Sequence, residues 1–319
     1  MKTKIVKNKI FLVIIFIFII FNISQALTID ELIEYTKKYK NISLEYDIHP
    51  FIVFGIAWQE TKFNPLTINI NKINVKLTKK KYYEFINIFN YLFNNQTTVV
   101  SVFKLNCDFY QNNKLLFKKT YLFYPGQNEK NNNILKDFIQ LKRSDFNIVY
   151  VRSNYPLPFF FDNKYNATLY TTRLVEIIDN IDIGLTQINN KFWLKPNNIP
   201  PASIFEPEFA IMFSSKILAD LREETNSNLY KMVKYYHSRT KGIGDRYAKS
   251  TIATINSFTK MFNSYVRYTN NTREKTVVAK SPHNIAMESE SDTLKSKEST
   301  VNNISITKVL AENNIIILN

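Results

Sequence analysis

Apolar and polar positions change their rhythm several times along the chain. From Ile10 to Phe21 every residue is Ile, Phe, Leu or Val. Lys2, Lys4, Lys7 and Lys9 precede this run without any acid, and Ser24-Gln25-Ala26 follows it. A basic start, an apolar centre and small residues at minus three and minus one predict a signal peptide over 1–26, cleaved after Ala26. The alternative is an uncleaved anchor, although the run is shorter than the roughly 20 residues that span a bilayer.

Helical spacing begins directly afterwards. Leu27 to about Lys40 places Leu32, Ile33 and Tyr35 on one face, with Thr28 or Asp30 near its start. A second helix is expected from Pro50, whose fixed φ suits a first turn, with Asp47 or His49 as cap. It reads Phe51-Ile52-Val53-Phe54-Gly55-Ile56-Ala57-Trp58-Gln59-Glu60-Thr61 and must stop before Asn64-Pro65. Being apolar nearly all round, it should be buried and should deliver one carboxylate, Glu60, at its end.

Over residues 66–180 the pattern shortens. β-Branched and aromatic runs at Val99–Leu105, Lys114–Tyr124 and Phe146–Arg152 alternate with a helical stretch over Lys81–Phe93. Helical character returns from Ile181, with helices expected over Glu206–Glu224, Asn228–His237 and Asp245 to about Met261. After Tyr268 the chain turns polar and loses its aromatic residues, the composition of a disordered tail, which ends in an apolar Ile315-Ile316-Ile317-Leu318 scrap.

Composition removes several classes. The only glycines are Gly55, Gly126, Gly184, Gly242 and Gly244, so neither a Walker loop nor a G-x-G-x-x-G turn can be written. Three His and one Cys are too few for a closed zinc site, and Cys107, alone in an exported chain, is expected to be buried. The formal charge is +15, and residues 66–180 hold 16 Lys and Arg against 8 Asp and Glu. This surplus has three readings: attraction to anionic wall polymer or membrane surface, a docking face for a secretion complex, or drift in a chain rich in Lys, Asn and Ile.

Glu60 is the first candidate for chemistry. A carboxylate at the carbonyl end of a helix, with Trp58 and Phe63 near in sequence, should have a raised pKa, as a general acid requires. An exposed glutamate closing an ordinary helix is the plain alternative. The string Ala57-Trp58-Gln59-Glu60-Thr61-Lys62-Phe63-Asn64-Pro65 resembles the "ExSxFNP" signature of soluble, goose-lysozyme-like lytic transglycosylases. Asn180-Ile181-Asp182-Ile183-Gly184-Leu185-Thr186-Gln187-Ile188-Asn189 is similar to that family's "GLMQIN" motif, and Tyr235-Tyr236-His237-Ser238 to its "YN" motif in the "YHS" form of the branch associated with conjugation and type IV secretion. Thr61 and Thr186 stand where the family has Ser and Met, and Glu60 and Gly184 lie 124 positions apart, so a large insertion separates the first two motifs.

The resemblance implies a mainly α, lysozyme-like α+β domain in two parts, 27–65 and 180–265, interrupted by a basic α/β insertion over 66–179 and followed by a disordered tail over 266–319. It implies a periplasmic enzyme that cleaves the β-1,4 bond between N-acetylmuramic acid and N-acetylglucosamine with closure of a 1,6-anhydro ring. Glu60 would be the catalytic acid and base; Thr61, Gln187, Ile188 and Tyr236 would bind substrate; Gly184, Leu185 and Thr186 would shape the cleft. No cofactor or metal is implied, and the partners would be peptidoglycan strands and possible secretion-complex proteins, with nucleic acid not expected. Asp182, the sole carboxylate of the second motif, reads as a turn or capping residue, with a role in two-carboxylate hydrolysis as the alternative. The rival functions are a goose-type muramidase and a noncatalytic wall-binding or scaffold protein.

Overall fold

Local signals set the first two helices. In a computed structural model that describes residues 28–95, 102–141, 145–154 and 156–278, α1 spans Ile29–Leu44 and opens with a reciprocal capping box between Thr28 and Glu31. Helix α2 spans Pro50–Thr61, and His49 caps it by accepting the Phe51 N–H at Nδ1. Burial pushes the His49 pKa down to about 4, so the ring stays neutral and keeps that lone pair. Phe51 to Ala57 are all buried, as the unbroken apolar run requires. Each large side chain removed from water there contributes on the order of 1.5–3 kcal/mol.

Residues 1–26, where a signal peptide is expected, and the residues beyond Val278, with the terminal apolar scrap, lie outside the described residues. Among the described residues no helix is long and apolar enough to cross a membrane.

Beyond α2 the chain enters two four-stranded antiparallel sheets. The first contains β1 (Thr67–Ile70), β6 (Leu157–Phe160), β7 (Ile181–Ile183) and β8 (Ile188–Asn189), ordered β6-β1-β7-β8. The second contains β2 (Ile73–Thr78), β3 (Phe103–Gln111), β4 (Lys114–Phe123) and β5 (Ile148–Ser153), ordered β2-β5-β3-β4. Helix α3 (Lys79–Asn94) links β2 to β3, and α4 (Asn128–Leu141) links β4 to β5, so this sheet is built from two split β-α-β units. Its neighbouring strands are all antiparallel. The inserted region is therefore mixed helix and antiparallel sheet, not the parallel stack that α/β denotes.

One face of the second sheet and the α3 helix form an aromatic core. Phe93 lies 4.9 Å from Phe123 and 5.6 Å from Phe103, and Cys107 is fully buried among these strands. Phe159 of β6 joins edge-on to Phe93, which makes this core continuous with the first sheet. The insertion therefore does not begin cleanly at residue 66. β1 pairs with β6 on one side and with β7 on the other, so both ends of the inserted segment are built into the sheet that carries the second motif. The part from β2 to β5 leaves through a neck of two strands, where Ile70 pairs Leu157 and Ile73 pairs Ser153, and it also packs on the rest through Phe93 against Phe159 and Tyr91 stacked on Tyr170.

Helix α5 (Lys164–Val175), a π-type turn over Asn190–Leu194 and a 3-10 turn over Pro201–Phe205 lead to α6 (Pro207–Glu224) and α7 (Leu229–His237). Pro207 opens α6 as its sequence suggests. The last helix, α8, runs over Ile243–Val278, further than the pattern to Met261 implied and past the expected start of the tail at 266. Residues up to Ile255 form one compact unit and those from Asn256 a second. Gly55 on α2 permits the close approach of α8 within the first unit, since a Cβ there would meet Ile255 Cγ1 at 2.5 Å.

Candidate functional site

The end of α2 is unusual backbone. Lys62 and Phe63 both have positive φ, 54° and 64°, and their N–H groups close on Trp58 O and Ala57 O. Left-handed non-glycine residues cost roughly 1–2 kcal/mol each, and such strain concentrates at functional sites. Phe63 stacks over Tyr35 at 4.4 Å and lies 5.8 Å from Trp58, so the turn is held by aromatic packing. Glu60 sits in the final turn before this reversal, its side chain 14% exposed.

Glu60 opens into a cleft of about 600 Å³. Asp182, Gln187, Ile188, Tyr236 and His237 line it together with Glu60, so parts of all three motifs meet around one space. Phe192 and Trp193, carried on the π-type turn, also line the cleft, and Phe192 is 62% exposed. Sequence reasoning passed over this adjacent aromatic pair, although an exposed and a half-buried ring beside a carboxylate suit the apolar face of a sugar.

His237 is the direct partner of Glu60. Its Nδ1 lies 3.3 Å from Glu60 Oε1, and its ring stacks on Tyr247 at 4.1 Å with planes 6° apart. Burial pushes the His237 imidazolium down, but the hydrogen bond and charge of Glu60, with the charge of Asp182, outweigh it and leave the pKa raised. The Tyr247 hydroxyl is buried beside Glu60 and Thr251. Burial first, and then the Glu60 charge, holds this phenol well above the ordinary range. Neither ring was singled out for chemistry from the sequence; the "YHS" form of the third motif was the available signal for His237.

Asp182 is not a turn or capping residue. It lies in β7, paired with Asn69 of β1 on one side and Asn189 of β8 on the other. Asn71 and Asn189 each donate an amide N–H to its carboxylate at 2.7 Å. Asn189 also donates to Asn180 Oδ1 at 2.9 Å, which extends the amide network along the cleft floor. Burial raises the Asp182 pKa to about 6; the two amide hydrogen bonds oppose this and the charge of Glu60 adds to it. The cleft thus holds two carboxylates that differ in partner and in environment.

The remaining motif residues divide between cleft and support. Tyr236 reaches the cleft, but its hydroxyl donates to Thr186 O at 3.0 Å and meets Ser214 Oγ at 3.1 Å, not Glu60. Gln187, at φ 52°, lines the cleft while its Nε2 donates to Gly184 O at 2.8 Å, which turns the loop on itself. Thr61, read as a substrate-binding residue, is 6% exposed and does not line the cleft: its hydroxyl is shared between Ala57 O at 3.1 Å and Leu185 O at 2.7 Å. It fastens the α2 end to the second motif. Leu185 and Thr186 are fully buried, and the Thr186 hydroxyl lies 2.6 Å from Ser214 Oγ, so both act beneath the surface. Gly184, at φ 76°, is required by the backbone itself, because a Cβ would fall 2.5 Å from Ile204 O.

Comparison with protein-family models, with curated proteins and with solved structures finds no match to this chain. Among the described residues no group of three or more His, Cys, Asp and Glu side chains is placed to hold a metal ion.

Proposed function

We propose that this is an exported, lysozyme-like lytic transglycosylase that opens peptidoglycan strands with one carboxyl group as acid and base. The observation that carries the reading is the convergence of three motifs, through Glu60, through Asp182, Gln187 and Ile188, and through Tyr236 and His237, on one cleft with Glu60 at the end of a buried helix. Glu60 would protonate the glycosidic oxygen and then, as carboxylate, take the proton of the muramoyl carbon-6 hydroxyl as it closes the anhydro ring. Phe192 and Trp193 offer rings to the sugars, and the amides of Asn71 and Gln187 border the same space. Secretion or conjugation machinery that must cross the wall is the proposed setting, and periplasmic glycan is the proposed partner.

Asp182 favours a second reading. A buried carboxylate with a raised pKa in the same cleft supplies the second acid-base group that water attack uses, which would make the protein a goose-type muramidase. Mass spectrometry of soluble products from purified peptidoglycan separates the two. Anhydromuramoyl ends from the full chain, lost by at least about a hundredfold in Glu60→Gln, are the expected result. Reducing ends lost in both Glu60→Gln and Asp182→Asn would establish the muramidase, and no products from folded protein would leave only a binding role.

A further inference from the structure

Among the described residues, helices cover the second sheet on one face only. Across its open face the register aligns Asn74, Arg152, Asn106 and Thr120 in one row, and Lys76, Tyr150, Asp108 and Lys118 in the next. Over the first row and the Asp108–Lys118 half of the second lies a basin of about 580 Å³. Lys72, Lys118 and Arg152 supply cations to its wall, and Asn74, Asn106 and Asn154 supply amides.

The charges in this basin are arranged unequally. Asp108 is 9% exposed and pairs with Arg152, which fixes the guanidinium on the wall while half of that side chain remains exposed. Lys119 is turned to Asp137 at 2.9 Å. Lys72 and Lys118 are exposed and have no carboxylate partner among the described residues. Thr120 donates to Asn106 Oδ1 at 3.0 Å, which orients that amide on the basin floor.

We infer that this basin binds an acidic glycan, with the lysines and Arg152 meeting its carboxylates and the asparagine amides its hydroxyls. Its shape and chemistry select this class over others. A concave basin suits a bilayer surface poorly, and none of its lining residues is aromatic. Single-stranded nucleic acid would need stacking rings within it, whereas Tyr110 and Tyr150 pack edge-to-face on each other at 5.3 Å and do not line it. Its volume lies within the range of ordinary ligand sites. The site is separate from the Glu60 cleft, so it stands whether or not that cleft cuts a glycan.

The test is binding of a fluorescent oligogalacturonate to the full chain, followed by anisotropy at low and moderate salt. Lys72→Gln combined with Lys118→Gln should weaken binding by at least about fivefold, and added salt should do the same. Lys37→Gln combined with Lys216→Gln, exposed positions on α1 and α6, should leave it unchanged. Both pairs change only exposed side chains, and circular dichroism verifies that they fold. Equal affinity in wild type and the basin variant would overturn the assignment, as would neutral dextran binding as tightly as oligogalacturonate. It would also fall if oligothymidylate or phosphatidylglycerol vesicles bound more tightly and lost that binding in the same variant.

Discussion

Asp182 shows how one side chain can tie stability to acidity. Its carboxyl has a pKa raised from 3.8 to about 6 in the folded protein, so the folded state holds its proton more strongly than the unfolded chain does. The stabilisation is complete below pH 3.8 and is lost as pH rises to about 6, a change of roughly 2–3 kcal/mol. Replacing Asp182 with Asn should flatten the stability profile across that window. Identical slopes for wild type and variant in denaturant titrations would refute the assignment. Thr61 gives a second expectation. Thr61→Val abandons the buried Leu185 carbonyl and should cost about 1–3 kcal/mol, while Thr61→Ser keeps the hydroxyl and should cost less. If both variants melt together, the clasp between α2 and the second motif contributes nothing.

At the scale of elements, much of the molecule could be read in advance. The capping of α1 by Thr28, the span of α2, Pro207 at the start of α6 and the strand runs behind β4 and β5 all rest on local signals and appear where the pattern placed them, whereas the run expected over Val99–Leu105 overlaps only the start of β3, which continues to Gln111. What the pattern hid is pairing over distance. β1 has only four residues, and its partners begin at 157 and 181, so nothing local marks Thr67–Ile70 as the centre of a sheet. The same blindness made Asp182 look like a turn residue, because its neighbours Asn69 and Asn189 come from two other strands. Glu60, Gln187 and Tyr236 were legible as cleft residues, whereas the supporting roles of Thr61 and Thr186 depend on carbonyl and hydroxyl partners found only in three dimensions. Gly184 belongs to this scale too. Its left-handed backbone and the Ile204 carbonyl 2.5 Å from any Cβ predict that Gly184→Ala destabilises by more than about 1 kcal/mol, measured by chemical denaturation. A cost near zero would mean that the turn relaxes freely.

For the molecule as a whole, the two-stranded neck defines what can be removed. Ile73 and Ser153 are paired partners, so their Cα atoms are about 5 Å apart and a short glycine turn can join what flanks them. Deleting residues 73–153 should leave β1, β6, β7 and β8 paired and unfolding cooperative, at a lower Tm because Phe159 loses Phe93. Deleting 66–179 removes two strands of that sheet and should abolish cooperative unfolding. Circular dichroism melts distinguish these outcomes, and equal melts would show that β1 and β6 are dispensable.

The neck also places two neighbours in different work. Asn71 gives its amide to Asp182 in the cleft, and Lys72, the next residue, lines the basin. Their Cα atoms are joined by one rigid peptide unit of about 3.8 Å. The amide that holds Asp182 and a cation of the basin wall therefore hang from adjacent Cα atoms, so one short piece of backbone serves both places.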